Sequence, residues 1–134
     1  MKVYDFMTTR LESVDAECTV YDAVERMVDL RIRSLLVRFP GGDMEDGVLT
    51  ARDVVYRVLA REKDPKEVRV SEIASRPISC IDKGMSLEEA AVLMKESGVA
   101  RLFACDGPRI VGVLSLMDAM NAMLILRARG DHVS

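Results

Sequence analysis

The sequence predicts a mixed α/β (α+β) fold of two β-α-β-β-α repeats, related by a pseudo-two-fold axis with their sheets packed against each other. Three observations predict it. First, the chain aligns with itself. Residues 11–15 fall on 78–82 and residues 19–23 on 86–90, with Met27 on Met94 and Ile32 on Val99; after a short length difference in a glycine-rich turn, 47–50 falls on 112–115 and Asp53 on Asp118. Two long blocks agreeing in order mark a tandem repeat. Second, strand-like and helical periodicities alternate in the same sequence within each copy. Third, 134 residues suit one domain or two small halves, and a unit of about 60 residues buries too little surface to be comfortably stable alone.

Each copy opens with a short apolar strand, at 11–14 and at 78–81. A polar turn leads into a capped helix: Ser86 and Glu89 form a full capping box, Thr19 and Asp22 a weaker one. Apolar side chains then recur at helical spacing, as Val20, Ala23, Val24 and Met27 and as Leu87, Ala90, Ala91 and Met94. Gly98 ends the second of these helices as a C-terminal glycine does. A strand follows at 34–38 or 101–104, then a turn at 39–43 or 106–109, and a return strand at 47–49 or 110–114 completes a hairpin. The final helix begins at Thr50 or Ser115. Its second copy passes Met120, Met123 and Leu124 to Arg129, a basic end suited to the helix dipole. The repeats are assigned to 1–62 and 70–129, separated by a charged linker at 63–69, where Asp64-Pro65 stops a helix, and followed by a polar tail at 130–134. Residues 68–73 match 1–6 as the lead-in to the second copy.

Composition excludes several classes of function. Apolar residues make up 49% and charged residues 31%, the balance of a soluble globular chain. The net charge is −3 and the pI about 5.2, and no basic cluster interleaves with aromatic residues, which disfavours nucleic acid as a partner. No apolar run approaches the roughly 20 residues of a membrane span, and a charged start argues against a signal peptide. A cytoplasmic protein is expected. The three cysteines, Cys18, Cys80 and Cys105, are widely spaced without a CxxC pair; they are expected to be small half-buried packing residues, not disulfide or zinc partners. The one histidine, His132, lies in the tail. No internal histidine is left for a nucleophilic triad, so an enzyme is not expected, nor a metal site.

The polar residues that both copies keep in register carry the functional question. Thr50 with Asp53, and Ser115 with Asp118, fit a helix N-cap, the bland reading. They also fit a ligand site. A strand feeding a helix N-terminus presents amide groups and a positive dipole end to an anion, a Thr or Ser hydroxyl can donate to phosphate, and an ionised Asp suits the two hydroxyls of a ribose. Gly47 and Gly112, at matching strand positions, allow close approach of a neighbour or ligand.

The chain resembles a tandem pair of CBS (cystathionine-β-synthase) domains, a Bateman module. The resemblance is carried by Met7-Thr8, Ser13-Val14, residues 19–23, 32–37 and 47–53, and more loosely by 78–81, 86–90, 99–103 and 112–118. It implies a stand-alone regulatory module binding adenosine-containing ligands (AMP, ADP, ATP or S-adenosylmethionine, sometimes NAD) in clefts between the repeats, with no catalytic cofactor. It also implies a homodimer and an as yet unidentified regulated protein. Carried over residue by residue, it assigns Asp53 to ribose, Thr50 to phosphate and the segment of Leu11 and Ser13 to the base. Asp118, Ser115 and the segment of Ile78 and Cys80 take the same roles in the second site. Arg33 and Arg101 stand where the family often places a phosphate-facing basic residue, though each also reads as a solvated strand-end arginine. Arg52 beside Asp53 reads as a ligand or surface residue. The second site departs from the pattern, with Ser115 for Thr and Leu116-Met117 for Ala51-Arg52, and the proline frequent after the first strand is absent from both copies. The first site is expected to be the better preserved. The alternative is a dimerising adaptor with vestigial clefts.

Overall fold

The computed structural model describes residues 1–41, 46–76 and 78–128. Contacts gather the chain into a first unit, Glu12–Ser79, and a second unit, Met1–Leu11 together with Cys80–Ser134. The first unit holds β1 (Ser13–Asp15), α1 (Val20–Leu30), β2 (Ser34–Arg38), β3 (Gly47–Thr50) and α2 (Ala51–Val54). Strand β2 lies between its neighbours, parallel to β1 across the α1 connection and antiparallel to β3 across a hairpin. The second unit repeats this plan with β4 (Cys80–Asp82), α3 (Leu87–Ser97), β5 (Arg101–Asp106), β6 (Arg109–Ser115) and α4 (Leu116–Ala128). The fold is therefore two β-α-β-β-α repeats with a three-stranded sheet in each.

Two elements differ from their sequence expectations. The opening strands begin at Ser13 and Cys80, two residues later than expected, and the apolar residues before them, Leu11 and Ile78, belong to the other unit. The final helices are also unequal. Helix α2 passes after one turn into a π-helical segment, Val55–Leu59, whereas α4 is regular through Ala128. The turn at 39–43 lies partly, and Arg129 with the tail wholly, outside the described residues.

The lead-in segments are exchanged between the repeats. Val3 is fully buried in a core with Ile81, Leu87, Ala90, Met94, Ala104, Leu114 and Ala122. Its counterpart Val70 is fully buried with Val20, Ala23, Met27, Leu35, Val37 and Leu49, joined by Val68 and Ile73. Residues 68–73 thus complete the first repeat instead of opening the core of the second. Matching hydrogen bonds fix both exchanges. The amides of Val3 and Tyr4 donate to the carbonyls of Met85 and Lys83 at 2.9 and 3.0 Å, and those of Val70 and Ser71 to Cys18 and Ala16 at 2.9 Å each. The cause is local: both lead-ins carry a valine that only a finished sheet-and-helix layer can hide from water.

At the N-termini of α1 and α3 the expected caps form, but each as a single hydroxyl-to-amide bond and not the full box expected at Ser86. Thr19 Oγ1 accepts from the amide of Asp22 and Ser86 Oγ from that of Glu89, both at 3.1 Å. At the C-termini the repeats diverge. Helix α3 ends on Gly98 at φ 65°, but α1 ends on Arg31 at φ 55°, a left-handed conformation that costs a side-chain-bearing residue about 1 kcal/mol. Arg31 is exposed, so little else depends on its side chain. Arg31→Gly is expected to stabilise the protein by about 0.5–1 kcal/mol, read as a rise in the urea midpoint at unchanged slope.

Candidate functional site

Each repeat ends its hairpin by delivering β3 or β6 into a helix, and the polar residues singled out in the sequence stand at these two junctions. At the first, Thr50 Oγ1 accepts from the amide of Asp53 at 3.1 Å and Asp53 Oδ2 accepts from that of Thr50 at 3.0 Å. At the second, Ser115 Oγ accepts from the amide of Asp118 at 3.1 Å and Asp118 Oδ2 from that of Ser115 at 2.9 Å. Both are closed capping boxes. The cap does not use up the chemistry. Each hydroxyl accepts one bond and keeps its proton to donate, and each carboxylate keeps Oδ1 outside the cap. The amides of Ala51 and Leu116 are already given to the carbonyls of Arg33 and Ala100 at 2.9 and 3.0 Å. With the third amide of each turn in the cap, the second, of Arg52 or Met117, is left to an incoming anion. Thr50, Asp53, Ser115 and Asp118 are all half-buried, as an exchangeable ligand requires.

The exchanged lead-ins reach these junctions. Thr8 pairs with Val113 through two backbone bonds, 2.8 and 2.9 Å long, and its Oγ1 lies 3.5 Å from Asp118 Oδ2. Its counterpart Ser75 pairs with Val48 through two bonds of 2.9 Å. Gly47 and Gly112 mark the crossings: a Cβ at either position would lie 3.0 Å or less from the carbonyl oxygen of Ser75 or Thr8. Thr8 and Ser75 were not among the site residues singled out in the sequence. Their signal was the alignment itself, which sets one hydroxyl residue on the other.

The remaining candidates are spread unevenly. Leu11, expected with Thr50 and Asp53, belongs by its contacts to the unit of Ser115 and Asp118, while Ile78 belongs to that of Thr50 and Asp53. Ser13 lies in β1, where its Oγ accepts from Arg38 Nε at 3.3 Å. Arg101 pairs directly with Ser115 across β5 and β6, so the two side chains share one face of the sheet. The residue opposite Thr50 is Ser34. Arg33 precedes that strand and is exposed, as are Arg52 and its counterpart Met117. The sheet position facing the junction hydroxyl residue is thus held by Arg101 at the second junction and by Ser34 at the first, where Arg33 and Arg52 adjoin Ser34 and Ala51 along the chain.

The cysteines require a correction. Cys80 and Cys105 are joined in a disulfide across β4 and β5. Their spacing along the chain hides the fact that parallel pairing sets Cys80 opposite Phe103, two residues from Cys105, with the Cα atoms 6.0 Å apart. Cys18 is free and half-buried. Burial pushes its thiol pKa above the ordinary value, and the charges of Asp22 and Asp15 add to the rise, so it stays protonated and packs as a small apolar group. Among the described residues no three of His, Cys, Asp and Glu gather as metal ligands, and no helix is long and apolar enough to cross a membrane.

The family model described as CBS domain matches residues 3–60 and 70–125. The CBS domain-containing protein YhcV of Bacillus subtilis (strain 168) is 33% identical over 122 residues, which cover 90% of this chain and 85% of that one. Other curated relatives are longer, and the matches span 38% and 57% of two of them. Among solved structures, the hexameric CBS-CP12 protein from bloom-forming cyanobacteria superposes with a TM-score of 0.78 at 29% identity, over 90% of this chain and 69% of that one. CBSX2 in complex with AMP superposes with a TM-score of 0.77 at 25% identity, over 94% of this chain and 98% of that one.

Proposed function

The chain belongs to the CBS domain family, and from that premise we propose that it is a regulatory module binding an adenosine-containing ligand without altering it. AMP, ADP, ATP and S-adenosylmethionine are the candidates. The observation that carries this reading is the duplicated junction: in both repeats a capping carboxylate keeps one oxygen, and a capping hydroxyl its proton, at a strand-to-helix turn. The resemblance to CBSX2, whose structure contains AMP, supports the same ligand class. Asp53 and Asp118 take the ribose hydroxyls; Thr50 and Ser115 face the phosphate. Arg101, paired with Ser115 across the sheet, offers a positive charge to a phosphate at the second junction.

Calorimetric titration with AMP tests this. Asp118→Ala is expected to weaken binding about 10- to 150-fold, the loss of hydrogen bonds worth roughly 1.5–3 kcal/mol. Arg101→Ala is expected to weaken AMP but not adenosine, because only the phosphate meets the guanidinium. Unchanged affinities in both variants would remove these residues from the site.

A second reading, a dimerising adaptor, is favoured by a different observation. Helix α4 exposes Leu116, Met117, Met120, Met123 and Leu124, each more than half accessible. Equivalent apolar grooves also run beside the helices of each unit, lined by Val24, Met27 and Val54 in one and by Ala91, Met94 and Ala119 in the other. These faces suit a second copy of the chain. Melting temperatures unmoved by AMP, ATP, S-adenosylmethionine and NAD, with a dimeric mass by light scattering, would select the adaptor.

A further inference from the structure

We propose that the Cys80–Cys105 disulfide is a reversible redox clasp holding the point where the chain passes from the first unit into the second. Cys80 is the first residue of the second unit's main segment and of its edge strand β4, and Ser79 before it still belongs to the first unit. The bond therefore ties this crossing to the central strand β5.

The first unit shows what such a tie does. Ser13 aligns with Cys80 and Arg38 with Cys105: Ser13 pairs with Leu36 as Cys80 pairs with Phe103, and Asp15 with Arg38 as Asp82 with Cys105. There the corresponding side chains meet in a hydrogen bond, Arg38 Nε to Ser13 Oγ at 3.3 Å. Arg26 and Glu12, one residue before Ser13, add an ion pair of 2.6 Å. One repeat therefore holds its crossing with polar contacts that no reductant affects, and the other with a bond that thiols can open.

The geometry suits exchange. Cys80 is exposed, whereas Cys105 retains 7% of its accessible surface. A thiolate of a small or protein dithiol attacks the Cys80 sulfur, the bond to Cys105 breaks, and Cys105 leaves as a thiolate that takes up a proton. The second thiol of the reductant then resolves the mixed disulfide and releases Cys80 as a thiol. The protein gains two electrons and two protons, and the reductant becomes a disulfide. Any dithiol-disulfide couple of suitable potential reverses the reaction. Opening the clasp loosens a three-residue edge strand together with Ile78 and Ser79.

The test uses the full chain and needs no nucleotide, so its outcome is independent of the ligand reading. Protein purified without reductant is denatured and alkylated with iodoacetamide. One adduct, at Cys18, is expected before dithiothreitol and three after it, with the single-adduct state restored by oxidised glutathione. Reduction is expected to lower the melting temperature by about 5–10 °C. It should also speed hydrogen exchange in β4 while leaving β1 unchanged. The Cys80→Ser/Cys105→Ser variant should melt at the reduced temperature and ignore dithiothreitol, and Cys18→Ser should keep the full response. Three adducts at the outset that glutathione does not diminish, or equal melting and exchange in the two redox states, would overturn the proposal.

Discussion

A chain that begins at Thr9 is expected to lose the structure of the second unit and keep that of the first. The missing residues carry Val3, fully buried in the second core, and five backbone hydrogen bonds, which link Met1, Val3, Tyr4 and Thr8 to Leu87, Met85, Lys83 and Val113. Burial of one valine is worth about 2 kcal/mol, and each of these bonds about 1 kcal/mol net. Together they amount to roughly 5–8 kcal/mol, comparable with the whole stability of a typical domain. Hydrogen exchange read residue by residue is the measurement. Amides of α3 and of β4 through β6 should lose protection, while those of β1 through β3 retain it. Faster exchange in β1 through β3 alone would mean that the lead-in stabilises the repeat it precedes. Val70→Ala provides the mirror image: it should weaken the first unit, though it lies beyond that repeat's last helix.

That exchange is the part of the fold the residues do not announce. The strands at 34–38 and 47–49, the caps at Thr19, Ser86, Thr50 and Ser115, and the buried stripes of α1 and α3 follow from alternation, capping chemistry and helical spacing, all of them local. The two lead-ins are alike, with Val3 answering to Val70, so each fits either repeat, and loop closure over so short a distance discriminates weakly between the arrangements. The disulfide was hidden for a similar reason: cysteine spacing carries no information about strand register. Arg33 and Arg101 illustrate register from the other side. Both stand near the start of a central strand, but Ala100, not Arg101, occupies the place of Arg33, its carbonyl receiving the first amide of the following helix just as that of Arg33 does. A one-residue offset moves a side chain to the opposite face of a sheet. It sets Arg101 opposite Ser115, while Arg33 stands outside its strand. The capping boxes at Thr50 and Ser115 follow from the spacing of their residues, whereas the full box expected at Ser86 forms only by half. Whether a carboxylate in such a box also meets ribose is a matter of ligand chemistry, which is why AMP titration decides it.

Gly47→Val is expected to destabilise the protein by about 3 kcal/mol or more, the upper range for forcing extra atoms into a packed site. An added Cβ at Gly47 would stand 2.7 Å from the carbonyl oxygen of Ser75, 3.1 Å from the Phe39 ring and 3.2 Å from Arg76 Cβ. Ser75 cannot withdraw cheaply, because its amide and carbonyl are both bonded to Val48 at 2.9 Å. Gly112 meets a softer neighbour. The atoms nearest its added Cβ would be Sδ and Cγ of Met7, at 2.6 and 2.9 Å, with the Thr8 carbonyl at 3.0 Å, and a methionine side chain can rotate away. Gly47→Ala should therefore cost more than Gly112→Ala, a ranking that urea denaturation resolves. The same variants separate two uses of the glycine. If it serves the crossing of the exchanged segment, Gly47→Val loses stability equally with and without AMP. If it serves a ligand, the variant keeps its stability and loses AMP affinity instead. The backbone contact at 2.7 Å argues for the crossing.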